Sequence, residues 1–421
     1  MTEREVIEFV EENDVKFIRL AFVDLFGTMK NIAIMPTELH RAFDGGISFD
    51  ASAVKGFCDI AHSELFLKPD PGTLTVLPWR PQTGRVARML CDCLTPEGEL
   101  FEGYSRTILR RQVEMARAQG CRFRLGTEYE FYLFQADEQG NVTLRPQDEA
   151  GYMDVSPLDR GENVRREICL TLEAMGVAPE CSHHEHGPGQ NEVDFRAAEA
   201  LRAADNAMTF KTTVRAIAAQ YGLYASFMPK PLPEESGNGL HVNLSIERDG
   251  ARLFETKDGE LQPDAQHAMA GILRRIREIS VFLNPIPNSY RRLGSFEAPR
   301  HVNWSFGNRS QLIRIPAATP GGERMELRSP DPACNPYLTF ALIIAAAMEG
   351  IRDQAPLQGT LDVSGELPGS LDEAIALAMD SAFVRGVLGD VLDKYIDEKA
   401  KTAARYDNDP DTVFQLHLRT I

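Results

Sequence analysis

Apolar and polar residues alternate over residues 123–134, with Tyr129, Phe131 and Leu133 on one side and Glu128 and Glu130 on the other. That period of two predicts a strand with one buried and one polar face. The two carboxylates then project side by side, roughly 7 Å apart at the rise of an extended chain. The same alternation recurs at 240–246, where His241, Asn243 and Ser245 oppose Val242 and Leu244. At 324–328, Arg324, Glu326 and Arg328 oppose Met325 and Leu327. Helical periodicity predicts helices over 4–13, 106–119, 162–175, 198–221, 264–282 and 337–352. Apolar runs at 16–22 and 31–35, around a turn at 25–28, and at 86–93 predict N-terminal strands. Pro69, Pro71, Pro78 and Pro81, then Pro96-Glu97-Gly98, punctuate the chain before residue 100. We therefore expect a small α+β domain at 1–100 and a larger one at 101–421. Helices and strands mix without a strict βαβ period, so α+β is favoured over a doubly wound sheet.

A length of 421 residues allows two or three domains, or one large domain with a small companion. At 43% hydrophobic and 25% charged, the composition is that of a folded globular protein. A net charge of −17 disfavours nucleic acid and anionic lipid as partners. The acidic start does not resemble a signal peptide, and the longest uncharged apolar run, 337–348, is too short to span a bilayer. Seven scattered cysteines with no CxxC pair argue against a disulfide framework or zinc ribbon, so a cytoplasmic location is expected.

Polar chemistry concentrates on the strands. His183-His184-Glu185-His186 leads through Gly187-Pro188-Gly189 to Gln190-Asn191-Glu192, a turn that can return Glu185 toward Glu192. Neither HExxH nor HxxEH is present. If these strands share a sheet, one face gathers Glu128, Glu130, Glu185, Glu192, Glu326 and His241, and so many carboxylates require compensation. A mostly oxygen ligand set with one imidazole suits Mg²⁺ or Mn²⁺, two or more per site, better than zinc. Arg292, Arg309, Arg314, Arg324 and Arg328 stand beside these acids, and guanidinium groups suit phosphate and carboxylate. Metals with arginines indicate phosphoryl transfer; a ladder of structural salt bridges is the competing reading. No GxxxxGK[ST] occurs, so any nucleotide is held without a P-loop.

Ten motifs occur in order: FDASAVKGF (49–57), GTEYEFYLF (126–134), GYMDVSPLD (151–159), HHEHGPGQNEVDF (183–195), FMPKP (227–231), SGNGLHVNLS (236–245), NSYRRL (288–293), FEAP (296–299), NRSQLIRIP (308–316) and RMELRSPDPACNPY (324–337). Together they resemble the glutamine synthetase family, in particular its bacterial type I members, over nearly the whole chain. The resemblance implies an N-terminal β-grasp domain and a catalytic domain with a curved antiparallel sheet. It also implies homo-oligomeric hexameric rings, commonly stacked as dodecamers, with active sites shared between neighbours.

The implied reaction is ATP-dependent ligation of ammonia to the γ-carboxylate of glutamate through γ-glutamyl phosphate. By motif position, Glu130, Glu185 and Glu192 resemble the ligands of the metal beside glutamate, and Glu128, His241 and Glu326 those of the metal beside the ATP phosphates. Arg292 and Arg328 resemble substrate-carboxylate and phosphate contacts, and Gly237 offers backbone to glutamate. Arg309, Arg314 and Arg324 resemble nucleotide or phosphoryl contacts, with Glu180 and Ser245 lining the nucleotide pocket. Asp50 matches the residue that takes a proton from ammonium. Glu297 matches the loop glutamate that shields the acyl phosphate, with Tyr152 and Glu185 completing the cation site.

The sequence also departs from the family pattern. The usual Gly-Ser-Ser after the aspartate is Ala51-Ser52-Ala53, and Asn243 replaces a common imidazole. The loop after Arg292 is one residue shorter, and the adenylylated Asn-Leu-Tyr-Asp-Leu-Pro motif is absent. Ala53 keeps open a rival reading, a ligase joining glutamate to a primary amine such as methylamine or a polyamine. A catalytically silent regulatory relative is the other alternative, although every metal-ligand position is retained.

Overall fold

The computed structural model describes residues 1–256, 259–360 and 362–421. The N-terminal region builds a six-stranded sheet in the order Met29–Ile34, Val15–Val23, Arg85–Leu94, Glu64–Pro69, Ile47–Asp50, with Thr75–Val76 also on Arg85–Leu94. Val15–Val23 runs parallel to Arg85–Leu94 and the other pairs are antiparallel. The helix Glu3–Glu12 begins at a capping box between Thr2 and Glu5 and buries Val6 and Val10. These join Ile18, Leu20, Leu67 and Met89 in a core separate from that of the rest of the chain.

The second sheet has eleven strands and is strongly curled. Its main path runs Trp304–Phe306, Ile313–Ile315, Met325–Leu327, Leu240–Arg248, Cys121–Ala136, Gln190–Phe195, Pro179–His184, antiparallel except between the first two. Cys121–Ala136 is the spine, and five other strands pair with it. Its apolar face is buried against the helix Ala200–Gln220. There the Phe210 ring lies 5.2 Å from Tyr129, 5.9 Å from Phe131 and 4.8 Å from Phe195. Further back, the helices Pro263–Leu283 and Pro336–Arg352 touch backbone to backbone. A Cβ on Gly271 would stand 2.2 Å from the Ala346 carbonyl oxygen, and one on Gly350 2.1 Å from that of His267. The apolar run at 337–348 is thus a core helix, buried on nearly every side. Among the described residues, no helix is long and apolar enough to cross a membrane.

The predicted helices and the longer strands form within about two residues of their expected limits, the usual uncertainty of an element end. The strand expected over 324–328 narrows to Met325–Leu327, since pairing with Val242–Leu244 on one edge and with Ile313 and Arg314 on the other stops short of Arg324 and Arg328. Four helices that the apolar periodicity did not announce complete the chain: Leu371–Met379, Ala382–Leu388, Val391–Asn408 and Pro410–Thr420. The first two start at Ser370 and Ser381, whose hydroxyls accept from the backbone N–H of Glu373 and Val384.

Arg106 ties the two cores together and is 1% exposed. It donates to Asp92 at 2.6 Å and Asp70 at 2.8 Å in the first domain, and to both Asp205 oxygens at 3.1 and 2.9 Å in the second. Asp205 also accepts the Tyr337 hydroxyl at 2.7 Å. Burial alone would lower the guanidinium pKa, yet Asp205 and Asp92 lift it well above its ordinary value. Removing a central charge strands its buried partners, which costs about 3–5 kcal/mol. Arg106→Met is therefore expected to lose that much stability in urea unfolding. A loss below about 1 kcal/mol, the scale of an exposed ion pair, would contradict this junction.

Candidate active site

The polar face of the spine strand opens into a cavity of about 820 Å³. Register builds its acid cluster. Glu128 pairs across one edge with His241 and across the other with Asp194, and Glu130 pairs with Glu192. The turn at 185–190 closes through the Glu185 N–H to the Gln190 carbonyl at 2.8 Å and the Gln190 N–H to the Gly187 carbonyl at 2.9 Å. It returns Glu185 toward Glu192, and His183 Nε2 lies 2.9 Å from the first and 3.9 Å from the second. Glu326 is 1% exposed, contacts Arg314 and Arg328 at 2.6 Å each, and lies 3.7 Å from His241 Nδ1.

The acids are unequally compensated. Burial, then the charges of Glu130 and Asp194, push the Glu192 carboxyl well above the usual range. Burial likewise raises Glu130, although the Gly239 N–H donates to it at 2.8 Å. Burial and Glu128 bring Asp194 up to about 6. Burial works against ionised Glu128 too, but His241 at 3.1 Å and the Asn243 amide at 2.7 Å outweigh it and lower its pKa to about 2. Glu185 is held below its ordinary value despite burial, by His183 and the His186 N–H. Buried carboxylates that lift one another's pKa are a site short of positive charge. Donor atoms of Glu128, His241 and Glu326 lie within 4.8 Å of one another, as do those of Glu130, Glu192 and His241, and of His183, Glu185 and Glu192. These oxygen-rich sets fit hard divalent cations.

Cationic and backbone groups complete the cavity. Arg292 is buried on the short helix Ser289–Arg292 and donates to the carbonyls of Arg328, Ser329 and Pro330 at 2.9–3.2 Å. Gly237 packs against it: a Cβ there would stand 2.5 Å from the Pro229 carbonyl oxygen and 2.9 Å from Arg292 Cγ, so only glycine fits. Arg324 donates to the Asn243 side-chain oxygen at 2.8 Å, and Arg309 lies exposed in the lining. Tyr152 stacks on His186 with ring centroids 4.7 Å apart. Glu297 is exposed and 3.9 Å from Arg328. Beside it, Phe296 has φ 52°, rare for a bulky residue, with Lys230 Nζ 4.5 Å above its ring.

Thirteen of the residues singled out from sequence line this one cavity: Glu128, Glu130, Tyr152, Glu185, Glu192, Gly237, His241, Arg292, Glu297, Arg309, Arg314, Arg324 and Arg328. Glu326 lies buried against His241, Arg314 and Arg328. Three stand outside the lining. Glu180 is exposed on Pro179–His184, and Ser245 is half-buried opposite Arg124. Asp50 is exposed at the end of a strand in the other domain. Its carboxylate is held below its ordinary pKa by the Ser52 hydroxyl at 2.6 Å and N–H at 2.9 Å. The sequence reading missed Asp194, His183 and Gln190. Asp194 was accessible to it, since it follows Glu192 by two residues on a strand and so shares its face. The conformation of Phe296 has no local signal.

Residues 14–96 match the beta-Grasp domain of glutamine synthetase, and residues 102–414 match its catalytic domain. The chain is 43% identical over 417 residues to the glutamine synthetase of Clostridium saccharobutylicum, covering 95% of this chain and 94% of that protein. It is 44% identical over 406 residues to that of Methanosarcina mazei, covering 92% and 91%. A solved structure, conformation 1 of a GmaS/ADP complex, superposes with a TM-score of 0.87 at 29% identity over 96% of each chain. With both domain models matched and such identity held over nearly the full length, this chain belongs to the glutamine synthetase family.

Proposed function

We propose that this chain ligates ammonia to the γ-carboxylate of L-glutamate at the expense of ATP, through γ-glutamyl phosphate, giving glutamine, ADP and phosphate. The observation that carries the reading is the under-compensated acid cluster with arginines on its flanks, a combination suited to phosphoryl transfer onto a carboxylate. Glu130, Glu185 and Glu192 would hold one Mg²⁺ or Mn²⁺, and Glu128, His241 and Glu326 another. When bound, such ions neutralise charge on the transferring phosphoryl group.

The chain's own side chains account for the remaining steps. Arg292, its guanidinium fixed by three carbonyls, positions the glutamate carboxylate together with the Gly237 backbone. Arg309, Arg314 and Arg324 receive nucleotide phosphates, and Arg328 meets phosphate released from the acyl intermediate. Glu180 and Ser245 flank the nucleotide from the same strands as Cys181 and Asn243. A γ-carboxylate oxygen attacks the terminal phosphorus of ATP and ADP leaves. Tyr152, Glu185 and Glu297 enclose NH₄⁺, and Asp50 of a neighbouring subunit accepts its proton. The freed ammonia displaces phosphate at the acyl carbon while Glu297 keeps water out.

We further read the chain as a type I, cytoplasmic enzyme of hexameric rings, its partners in a dodecamer being further copies of itself, with its domain boundary near residue 100. Ala53 favours one second reading, because a missing hydroxyl at the ammonium subsite leaves space for a substituted amine.

ADP release with glutamate and a panel of amines should give ammonia the highest specificity constant, since Asp50, Glu185 and Glu297 supply the anionic charge that NH₄⁺ needs. A higher value for methylamine or a polyamine would establish the second reading. Arg292→Ala should raise the KM for glutamate at least about 30-fold, as loss of a buried charged contact costs about 2 kcal/mol or more. Glu297→Ala should instead leave KM within about threefold and uncouple the reaction, forming more ADP than glutamine as water reaches the acyl phosphate. Equal effects confined to ATP affinity would contradict both roles.

Asp50→Ala and Glu130→Ala rings should each be inactive. Subunits dissociated and reassembled together should recover roughly a quarter of the sites at equal mixing, following head-to-tail ring contacts. Mixed rings verified by native mass spectrometry that stay inactive, while wild type survives the same treatment, would remove Asp50 from a neighbour's site.

A further inference from the structure

A second cavity, of about 370 Å³, lies where the N-terminal sheet meets the helix Ala200–Gln220, and it shares no lining residue with the acid-lined cavity. Arg19, Arg80 and Arg88 enter it from the first domain, and Lys211 and Arg215, one helical turn apart, from the second. Among the described residues, no aspartate or glutamate lines it. A protein of net charge −17 thus gathers five cations here.

The two most buried of them, Arg88 and Lys211, are held by neutral acceptors. Arg88 is 7% exposed and donates through Nη1 to the Thr209 hydroxyl at 3.0 Å, while its buried Nε has no partner. Lys211 is 7% exposed and donates to the Pro332 carbonyl at 2.7 Å. Arg215 donates to the main-chain oxygens of Thr420 and Ile421. Even a carboxylate at Ile421 would set one negative charge against five positive ones. The nearby Asp205 is already engaged by Arg106 and Tyr337.

The frustration shows in the titration of these groups. Burial pulls the Lys211 amine down to about 7, with the Arg215 charge adding to it, and pulls Arg88 down to about 10. Buried cations without anionic partners are costly, and a bound anion removes that cost. The walls are apolar: Phe26, Met29, Trp79 and Met208 leave room for a carbon skeleton.

We propose that this cavity binds a small organic anion of two or more negative charges, a polycarboxylate or a phosphomonoester, between Arg88 and Lys211 in its interior and Arg19 and Arg80 toward solvent. Such a ligand would join the two domains and couple the concentration of an acidic metabolite to the stability of their junction.

The site carries its own reporter, because the chain has two tryptophans and one of them, Trp79, lines the cavity. In Trp304→Phe protein, or in wild type with Trp79→Phe as the control, citrate and glycerol 3-phosphate would be titrated at constant ionic strength, with acetate and chloride as monovalent references. The expected result is a saturable fluorescence change and a rise in Tm with at least one polyanion, and none with acetate. Citrate alone would identify a polycarboxylate site, glycerol 3-phosphate alone a phosphate site. Arg80→Gln and Arg215→Gln change side chains that are exposed or half-buried, and each should weaken binding at least about tenfold while the fold, read by circular dichroism, is kept. Absence of a saturable response to either polyanion, or affinities unchanged in both variants, would overturn the proposal.

Discussion

Carboxylates brought together out of water repel one another and lose hydration, and that constraint shapes the catalytic domain. Strand register leaves little choice: once Cys121–Ala136 lies between Leu240–Arg248 and Gln190–Phe195, Glu128, Glu130, Glu192 and Asp194 share a face. A slip of one residue would move the acids inward and Tyr129, Phe131 and Leu133 outward. The aromatic cluster around Phe210 therefore fixes the position of the acids. Part of the repulsion is met locally, by Arg314 and Arg328 on Glu326, His241 on Glu128 and His183 on Glu185. What is left, on Glu130, Glu192 and Asp194, is the charge deficit that suits the site to cations.

Features with a short repeat were legible in the sequence. Period-two alternation gave the faces of the spine strand, of Leu240–Arg248 and of Met325–Leu327, and hence most of the acid cluster, before any pairing was known. The same rule reaches Asp194. It overestimated the 324–328 strand, because alternation marks a face but not where pairing with the neighbouring strands stops, and here it covers 325–327 alone. The helices after residue 370 carry cap residues that local chemistry can recognise, but an apolar-run criterion passes over them. Arg106 was not legible at all: its partners lie 14, 36 and 99 residues away, and no pattern in a local window reports such a meeting.

The domain junction shows two opposite uses of buried charge. Arg106 is surrounded by three carboxylates, two from one domain and one from the other, so its energy depends on both being docked. A short distance along the same interface, Arg88 and Lys211 are buried with neutral acceptors alone. Asp205 influences both places, binding Arg106 directly and raising the Arg88 pKa through space against the effect of burial. The anion proposed for the second cavity would supply there what Asp70, Asp92 and Asp205 supply to Arg106.

The shared-site reading also accounts for surface that a single chain leaves unsatisfied. Ile47–Asp50 is the last strand on the path of its sheet, so one edge is open, and the turn beyond it exposes Ile60 at 87%. On the catalytic domain, the segment following Tyr152 exposes Met153, Val155 and Leu158 at 58%, 73% and 62%. Single exposed apolar residues are ordinary, but three along one segment beside a catalytic cavity form a patch that water covers poorly. Open strand edges invite association unless they are covered. If the N-terminal edge of one subunit approaches the cavity of the next, as proposed, the contact can bury both surfaces and carry Asp50 toward the cation subsite in one step. Hydrophobic association would then position the carboxylate proposed to accept the ammonium proton, which stands outside the acid-lined cavity of its own chain.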